Sequence, residues 1–315
     1  MRVLFVCSGN RTGSSGVIVQ AQGNSLTKAD CSVEYYVLKG TGLKGYLNNI
    51  IKLKRYLKNN RFDVIHAHYA FTGVVAAAAK SREKLVVSLM GSDVLAGKVQ
   101  LYIASFFSRY VWNTTIVKTE GLSRTIKNKK VKIIPNGVDL DAFKPGDQTE
   151  CKLKLGFAVD KKQVLFLADI SRYSKDFPLA QSAFNLLEQQ VKNCEFKVVS
   201  GIKHDLVPLY LNAADVLLCT SRYEGSPNTI KEAMACNCPV VSTDVGDVRW
   251  LFEGCVGYYV TGRTTNEIVF KLNEAIQNRK KVNGRNRLVE LGLDSENIAK
   301  KIITVYTSLL QNNKG

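Results

Sequence analysis

Short β-branched and aliphatic runs recur along the chain, each followed by a stretch whose apolar residues return at helical spacing. In the first half, Val3–Cys7, Ser32–Leu38, Val64–Ala67, Leu85–Leu89, Thr115–Lys118 and Lys132–Ile134 predict strands, with helices over Tyr46–Asn59 and Gly73–Ser81. The pattern then restarts. Val164–Ala168, Glu195–Ser200 and Val216–Cys219 predict strands, and helices are expected over Leu179–Val191, near Leu206–Asn212 and from Pro227. A last stripe of Ile298, Ile302, Val305 and Leu309 predicts a helix over Asn297–Leu310. Strand-then-helix alternation argues for parallel sheets, because a parallel pair needs a long crossover. The expected fold is α/β, with two doubly wound halves.

The joint between them is marked by Pro135, Asn136-Gly137 and Pro145, which interrupt both periodicities. Domains are therefore expected over residues 1–140 and 141–296, followed by a helix over 297–315. At 45% hydrophobic and 23% charged residues the composition is that of a globular protein. No apolar run reaches the roughly 18–20 residues of a membrane span, and the N-terminal residues lack the layout of a secretory leader. A cytoplasmic protein is expected. Eight scattered cysteines with no C-x-x-C pair, beside only three histidines, read as reduced core thiols rather than a zinc or redox site.

Charge changes the picture. The formal net charge is +17, of which residues 1–145 carry +14 (22 Lys and Arg against 8 Asp and Glu) and residues 146–315 only +3 (22 against 19). Such asymmetry fits a first half that faces something anionic, a membrane surface or nucleic acid, and equally fits Lys-rich solvated faces that only aid solubility.

The densest chemistry lies in Ser221–Asp247. Ser226-Pro227 reads as a helix start, Ser as N-cap and Pro in the first helical position, which aims the N–H groups of Asn228 and Thr229 at a ligand as a phosphate site. Glu224 lies in the loop before that helix and Glu232 within it. Carboxylates only accept hydrogen bonds, which suits them to sugar or ribose hydroxyls. Spacing by itself also fits two solvated charges.

The stretch EGSPNTIKEAMACNCPVVSTDVGDV resembles, almost residue for residue, the Glu-x7-Glu region of glycosyltransferase family 4, retaining nucleotide-sugar-dependent enzymes of the GT-B fold. DVIHAHY at Asp63–Tyr69, VVSLMGSDV at Val86–Val94 and IIPNGVDLDAFKP at Ile133–Pro145 are similar to other segments of the family, in the same order. The resemblance covers nearly the whole chain. It implies two Rossmann-like domains facing each other across a cleft, the first binding acceptor and the second donor, with the last helix packing back on the first. It implies a hexosyltransferase-like enzyme of polysaccharide biosynthesis, using a nucleotide-sugar as substrate and neither cofactor nor metal.

Carried over by position, Glu224 would hold the donor sugar and Glu232 the ribose, while Gly225, Ser226, Asn228 and Thr229 would surround the diphosphate. Lys175 matches the family lysine on the donor phosphates, where fixed positive charge meets the charge growing on the leaving group. The chain departs from the family at Ala168, Asp169 and Ile170, where Gly-Arg is usual, and Arg172 is the expected substitute. It departs again at Met90, where many relatives have histidine, which leaves His68 as the histidine toward the cleft. Gly13 and Gly16 would let the backbone approach the donor, and Ser92 and Asp93 would lie on the acceptor side. Same-face attack is expected, the departing phosphate oxygen taking the acceptor's proton. The basic half would seat the enzyme on the inner face of the cytoplasmic membrane, near a lipid-linked or polysaccharide acceptor, through Lys44, Lys52, Lys54, Arg55, Lys58, Arg61 and the Lys127–Lys132 cluster.

Rival readings fare worse. GNRTGSSG at residues 9–16 has the wrong spacing for a dinucleotide fingerprint, and no acidic residue ends the second strand correctly. A nucleic-acid binder would need interleaved surface aromatics or a known binding motif. An epimerase-like sugar-nucleotide enzyme of the same fold, or a non-catalytic sugar-nucleotide binder, remains the alternative.

Overall fold

The structure is a computed structural model that describes residues 1–9, 13, 15–40, 42–95, 97–128 and 131–311, without the side chains of residues 42–44, 92 and 280. Its contacts divide the chain into two units, one of Met1–Gly137 with the segment from Ser295 onward, the other of Val138–Asp294. Both are parallel-sheet α/β units.

The first unit runs β1 (Arg2–Ser8), α1 (Val17–Lys28), β2 (Ser32–Leu38), α2 (Gly42–Asn59), β3 (Val64–His68), α3 (Ala70–Ala79), β4 (Lys84–Ser88), α4 (Ser92–Leu95), α5 (Lys98–Tyr110), β5 (Thr114–Val117), α6 (Glu120–Ile126) and β6 (Val131–Ile133). The sheet order is β2-β1-β3-β4-β5-β6, all parallel, with Val3 paired to Val33 on one side and Val64 on the other. Val3, Leu4, Phe5 and Val6 are inaccessible because β1 is covered on both faces, hence its unbroken apolar run. One face carries Leu4, Val6, Ile65, Ala67, Leu85 and Val87, and packs against α2, α3, α5 and α6.

The second unit runs α7 (Gln148–Lys154), β7 (Lys162–Leu167), α8 (Phe177–Gln190), β8 (Cys194–Val199), α9 (Val207–Ala213), β9 (Val216–Cys219), α10 (Asn228–Ala235), β10 (Val240–Thr243), α11 (Val248–Phe252), β11 (Tyr258–Thr261), α12 (Thr265–Gln277) and α13 (Gly284–Glu290). Its parallel sheet is ordered β11-β10-β9-β7-β8. The final helix, α14 (Ser295–Gln311), belongs to the first unit and packs on α1.

The nine predicted strands lie within two residues of β1 to β9, while β10 and β11 were not predicted. Helix α10 departs from its predicted start. It begins at Asn228, with Pro227 as N-cap and no side-chain cap, so Ser226 does not cap it. The serine hydroxyl is taken up elsewhere.

Candidate active site

In the second unit the chain passes from β7 out to β8 and returns beyond β7 to β9, which makes the β7/β9 junction the point where strand order reverses. Ligands of doubly wound sheets sit at the carboxyl ends of strands at such a point. Lys175 lies in a short 3-10 turn after β7, and Glu224 in the loop after β9. Lys175 Nζ donates to Glu224 Oε1 at 2.5 Å, and Ser221 Oγ donates to the same oxygen at 3.0 Å. Both charged side chains are under one-fifth exposed, so they are held but reachable.

A clasp fixes the two loops. Asp176 adopts φ +49° and accepts from the Arg222 guanidinium at 2.8 Å and from that of Arg263. Arg263 also donates to the Ser221 carbonyl, Arg222 N–H donates to the Ser174 carbonyl, and the Thr220 hydroxyl bonds the Lys175 and Asp176 carbonyls. The Arg222 side chain lies over the Tyr173 ring. Asp176, Arg222 and Arg263 were not legible as site residues, because their side-chain partners are 42 to 87 positions away.

At the start of α10, Lys231 is wholly buried. Its ammonium donates to Ser226 Oγ at 2.5 Å and lies 3.7 Å from Asp247, to which Ser226 donates at 2.6 Å. This is why Ser226 cannot cap the helix. Gly246, at φ +59°, presses on the same loop, and a Cβ there would stand 2.7 Å from the Gly225 carbonyl oxygen. Asn228 and Thr229 occupy the first two helical positions, at the end of the helix that carries its positive dipole. Further along, Glu232 Oε1 lies 2.9 Å from His204 Nε2, whose ring rests against Phe143. The Glu232 carboxylate holds the His204 pKa above its usual value, against the opposing effect of burial. Arg172 is exposed, with no ion-pair partner among the described residues.

In the first unit the reversal lies between β1 and β3, and the remaining candidates gather there or beside it. Gly13 adopts φ +72°, and Gly16 is the N-cap of α1. His68 ends β3, fully buried, its ring 4.5 Å from that of His66 and 4.6 Å from Phe5, with no hydrogen-bond partner for Nε2 among the described residues. Burial, with Lys118 adding to it, pulls its pKa down to about 3, so the ring is neutral near pH 7. His66 bonds the Tyr306 hydroxyl of α14 and the Ser88 hydroxyl. The Asp93 carboxylate accepts N–H groups of Ala70, Met90 and Gly91, each at 2.9 Å, and ties together the turns after β3 and β4. The side chain of Ser92 lies outside the described atoms, as do Lys129, Lys130 and the Lys44 side chain.

Residues 161–278 match the family described as Glycosyl transferases group 1, and residues 17–142 match Glycosyltransferase Family 4. The chain belongs to the family 4 glycosyltransferases. A Bacillus subtilis protein named as a teichuronic acid biosynthesis glycosyltransferase is 27% identical over 214 residues, covering 60% of this glycosyltransferase and 55% of the relative, little more than half its length. Among solved structures, sucrose-phosphate synthase from Thermosynechococcus elongatus superposes with TM-score 0.83 at 17% identity, over 99% of this chain and all of that one. Anabaena HepE in complex with UDP-glucose gives 0.75 at 18%, over 98% and 100%. The fold of this glycosyltransferase is thus GT-B.

Among its described residues, no group of three or more His, Cys, Asp or Glu could hold a metal ion, and no helix is long and apolar enough to cross a membrane. All eight cysteines are free. Burial pushes the Cys238 thiol up to about 12, and that of Cys236 higher still, so neither is a thiolate near neutral pH.

Proposed function

We propose that this glycosyltransferase moves a hexosyl group from a nucleoside diphosphate sugar to a hydroxyl of a lipid-linked or polysaccharide glycan, with retention at the anomeric carbon. The observation that carries this is the contact of Lys175 with Glu224 at the β7/β9 junction, beside the N-terminal end of α10. An ammonium suits a phosphate oxygen and a carboxylate suits a sugar hydroxyl. Groups 2.5 Å apart would therefore bind the two sides of the C1–O–P linkage, the bond to be broken. Glu232 would take the ribose, and the amides of Asn228 and Thr229 the diphosphate. Arg172 is exposed and suited to the same anion.

A double-displacement route would need a second carboxylate about 5 Å away as nucleophile, and Glu224 is engaged by Lys175 and Ser221. Same-face attack needs none. The acceptor oxygen bonds to C1 as the C1–O bond breaks, and the acceptor's proton passes to the departing phosphate oxygen. The chain's work is then positioning and charge stabilisation, with lysine and helix amides in place of a metal. The UDP-glucose bound by HepE supports a UDP-sugar as the first donor to try. The basic first unit supports an anionic membrane surface as the place of work, with exposed Lys52, Lys54, Arg55 and Lys58 on α2 each contributing about 1 kcal/mol.

Thermal-shift measurements with UDP-, GDP- and ADP-sugars, NAD and a short DNA duplex test the donor. Stabilisation by one nucleotide-sugar class, lost in Glu232→Ala, is expected, at roughly 2.7 kcal/mol for a ligand at a hundred times its Kd. Stabilisation by NAD or DNA alone would overturn the proposal. The anomeric configuration of product, read by NMR, tests retention.

A further inference from the structure

Helices α2, α3, α5 and α6 cover one face of the first sheet, so their outward sides share one surface. On α5, Ala104 is buried against the core, while Val99, Tyr102, Phe106 and Tyr110 are 69%, 73%, 46% and 67% exposed. At 100° per residue these four fall within about 80° of arc, directly opposite Ala104. That is a continuous ridge along the helix, not scattered exposure. Phe106 packs on the Tyr110 ring at 5.3 Å, and the Arg109 guanidinium lies over the same ring. On α2 the side opposite buried Leu53 carries Leu47 and Ile51, each over half exposed, and then Arg55 and Lys58. Phe71 on α3 lies between them, over a third exposed and in contact with Tyr46 of α2.

We infer that this helix layer is a bilayer-seating face, in which the α5 ridge enters the acyl boundary of an anionic membrane while the cations of α2 meet lipid headgroups. The choice of an anionic bilayer as occupant rests on the membrane reading above and on charge. Lys52, Lys54, Arg55 and Lys58 have no ion-pair partner among the described residues. Residues 1–145 carry a net +14, so a second copy docking here would set like charge against like. Tyrosine and arginine bordering aliphatic and phenylalanine side chains match the depth profile of a membrane interface, with polar tips wet and apolar bodies buried. The N-terminal ends of α2, α3 and α5 lie toward the carboxyl edge of the sheet, where Gly13, Gly16 and His68 gather. Seating would therefore bring that edge close to a lipid-linked acceptor.

Flotation of the full chain with phosphatidylcholine vesicles, with and without phosphatidylglycerol, tests the inference. The parent protein is expected to float with phosphatidylglycerol vesicles and to stay partly bound in high salt, because apolar burial is not screened. Tyr102→Ser with Phe106→Ser should lower the partition coefficient about tenfold, with circular dichroism melting and nucleotide-sugar stabilisation unchanged. In Phe106→Trp, emission of the new indole should be quenched by lipids brominated on the acyl chain. Vesicle binding without that quenching, and unchanged in the serine variant, overturns ridge insertion but leaves charge-driven membrane contact standing. No binding to any vesicle overturns both, whatever the donor assay shows. Self-association of the parent in sedimentation, lost in the serine variant, would make the ridge a contact between copies and overturn the inference.

Discussion

His204 Nε2 stands 2.9 Å from Glu232 Oε1, so the carboxylate expected on the donor ribose is held by a residue 28 positions earlier. The carboxylate raises the His204 pKa. Stability from the charged pair is therefore complete below about pH 6.5, the ordinary histidine value, and is lost as pH rises through the raised value. His204→Asn should lower Tm more in mildly acidic than in mildly alkaline buffer. It should also raise the donor KM more than it lowers kcat. Equal Tm losses at both pH values would show that the pair is not charged in the native state.

Lys175→Ala should cut kcat by about 10²–10³-fold, the usual loss when one donor to a developing negative charge is removed. Tm should barely move. Lys175→Arg keeps the charge but not the compact ammonium beside Glu224, so it should recover only part of the rate. Single-turnover kinetics under saturating donor separates this loss from weaker binding.

Lys231 sits in the protein interior with Ser226 and Asp247, and Asp247 Oδ1 has no hydrogen-bond partner among the described residues. Lys231→Ala strands a buried carboxylate and should cost about 3–5 kcal/mol. Adding Asp247→Ala should cost less than the sum of the two single changes, as a double-mutant cycle by urea denaturation will reveal.

Gly246→Ala places a methyl against the Gly225 carbonyl at a left-handed φ. A loss of about 1–3 kcal/mol is expected. Donor affinity should fall with it, since Gly225 precedes the helix start expected to hold the diphosphate.

Tyr306→Phe removes the hydroxyl that bonds buried His66. An unsatisfied ring nitrogen costs about 1–3 kcal/mol. Hydrogen exchange in α14 and β3 should accelerate together.

Strands β1 to β9 were legible because the sheet interiors are buried on two faces, so β1 and β9 read as unbroken apolar runs, whereas the short β10 and β11 were not picked out by the pattern. Helix α5 was not legible, since Val99, Tyr102, Phe106 and Tyr110 place large apolar groups on the outer side and blur the periodicity. Resemblance picked out Lys175, Glu224 and Glu232, but not that the first two touch or that His204 holds the third. Those pairings span 49 and 28 residues and are set by strand order. Local chemistry misplaced Ser226, because a serine before proline signals a cap only when nothing stronger competes for its hydroxyl. Lys231 and Asp247 do compete.

The path of the chain has a consequence during synthesis. It leaves the first unit at Gly137, builds the whole of the second, and returns at Ser295 with the helix that supplies Tyr306. At ribosomal speeds of about 5–20 residues per second, the nascent first sheet waits on the order of ten seconds with His66 lacking that partner. The second unit, contiguous in sequence, can close during that wait. A nascent chain stalled before Ser295 should thus expose α1 and the back of β3 to a holding chaperone, and release it once α14 emerges.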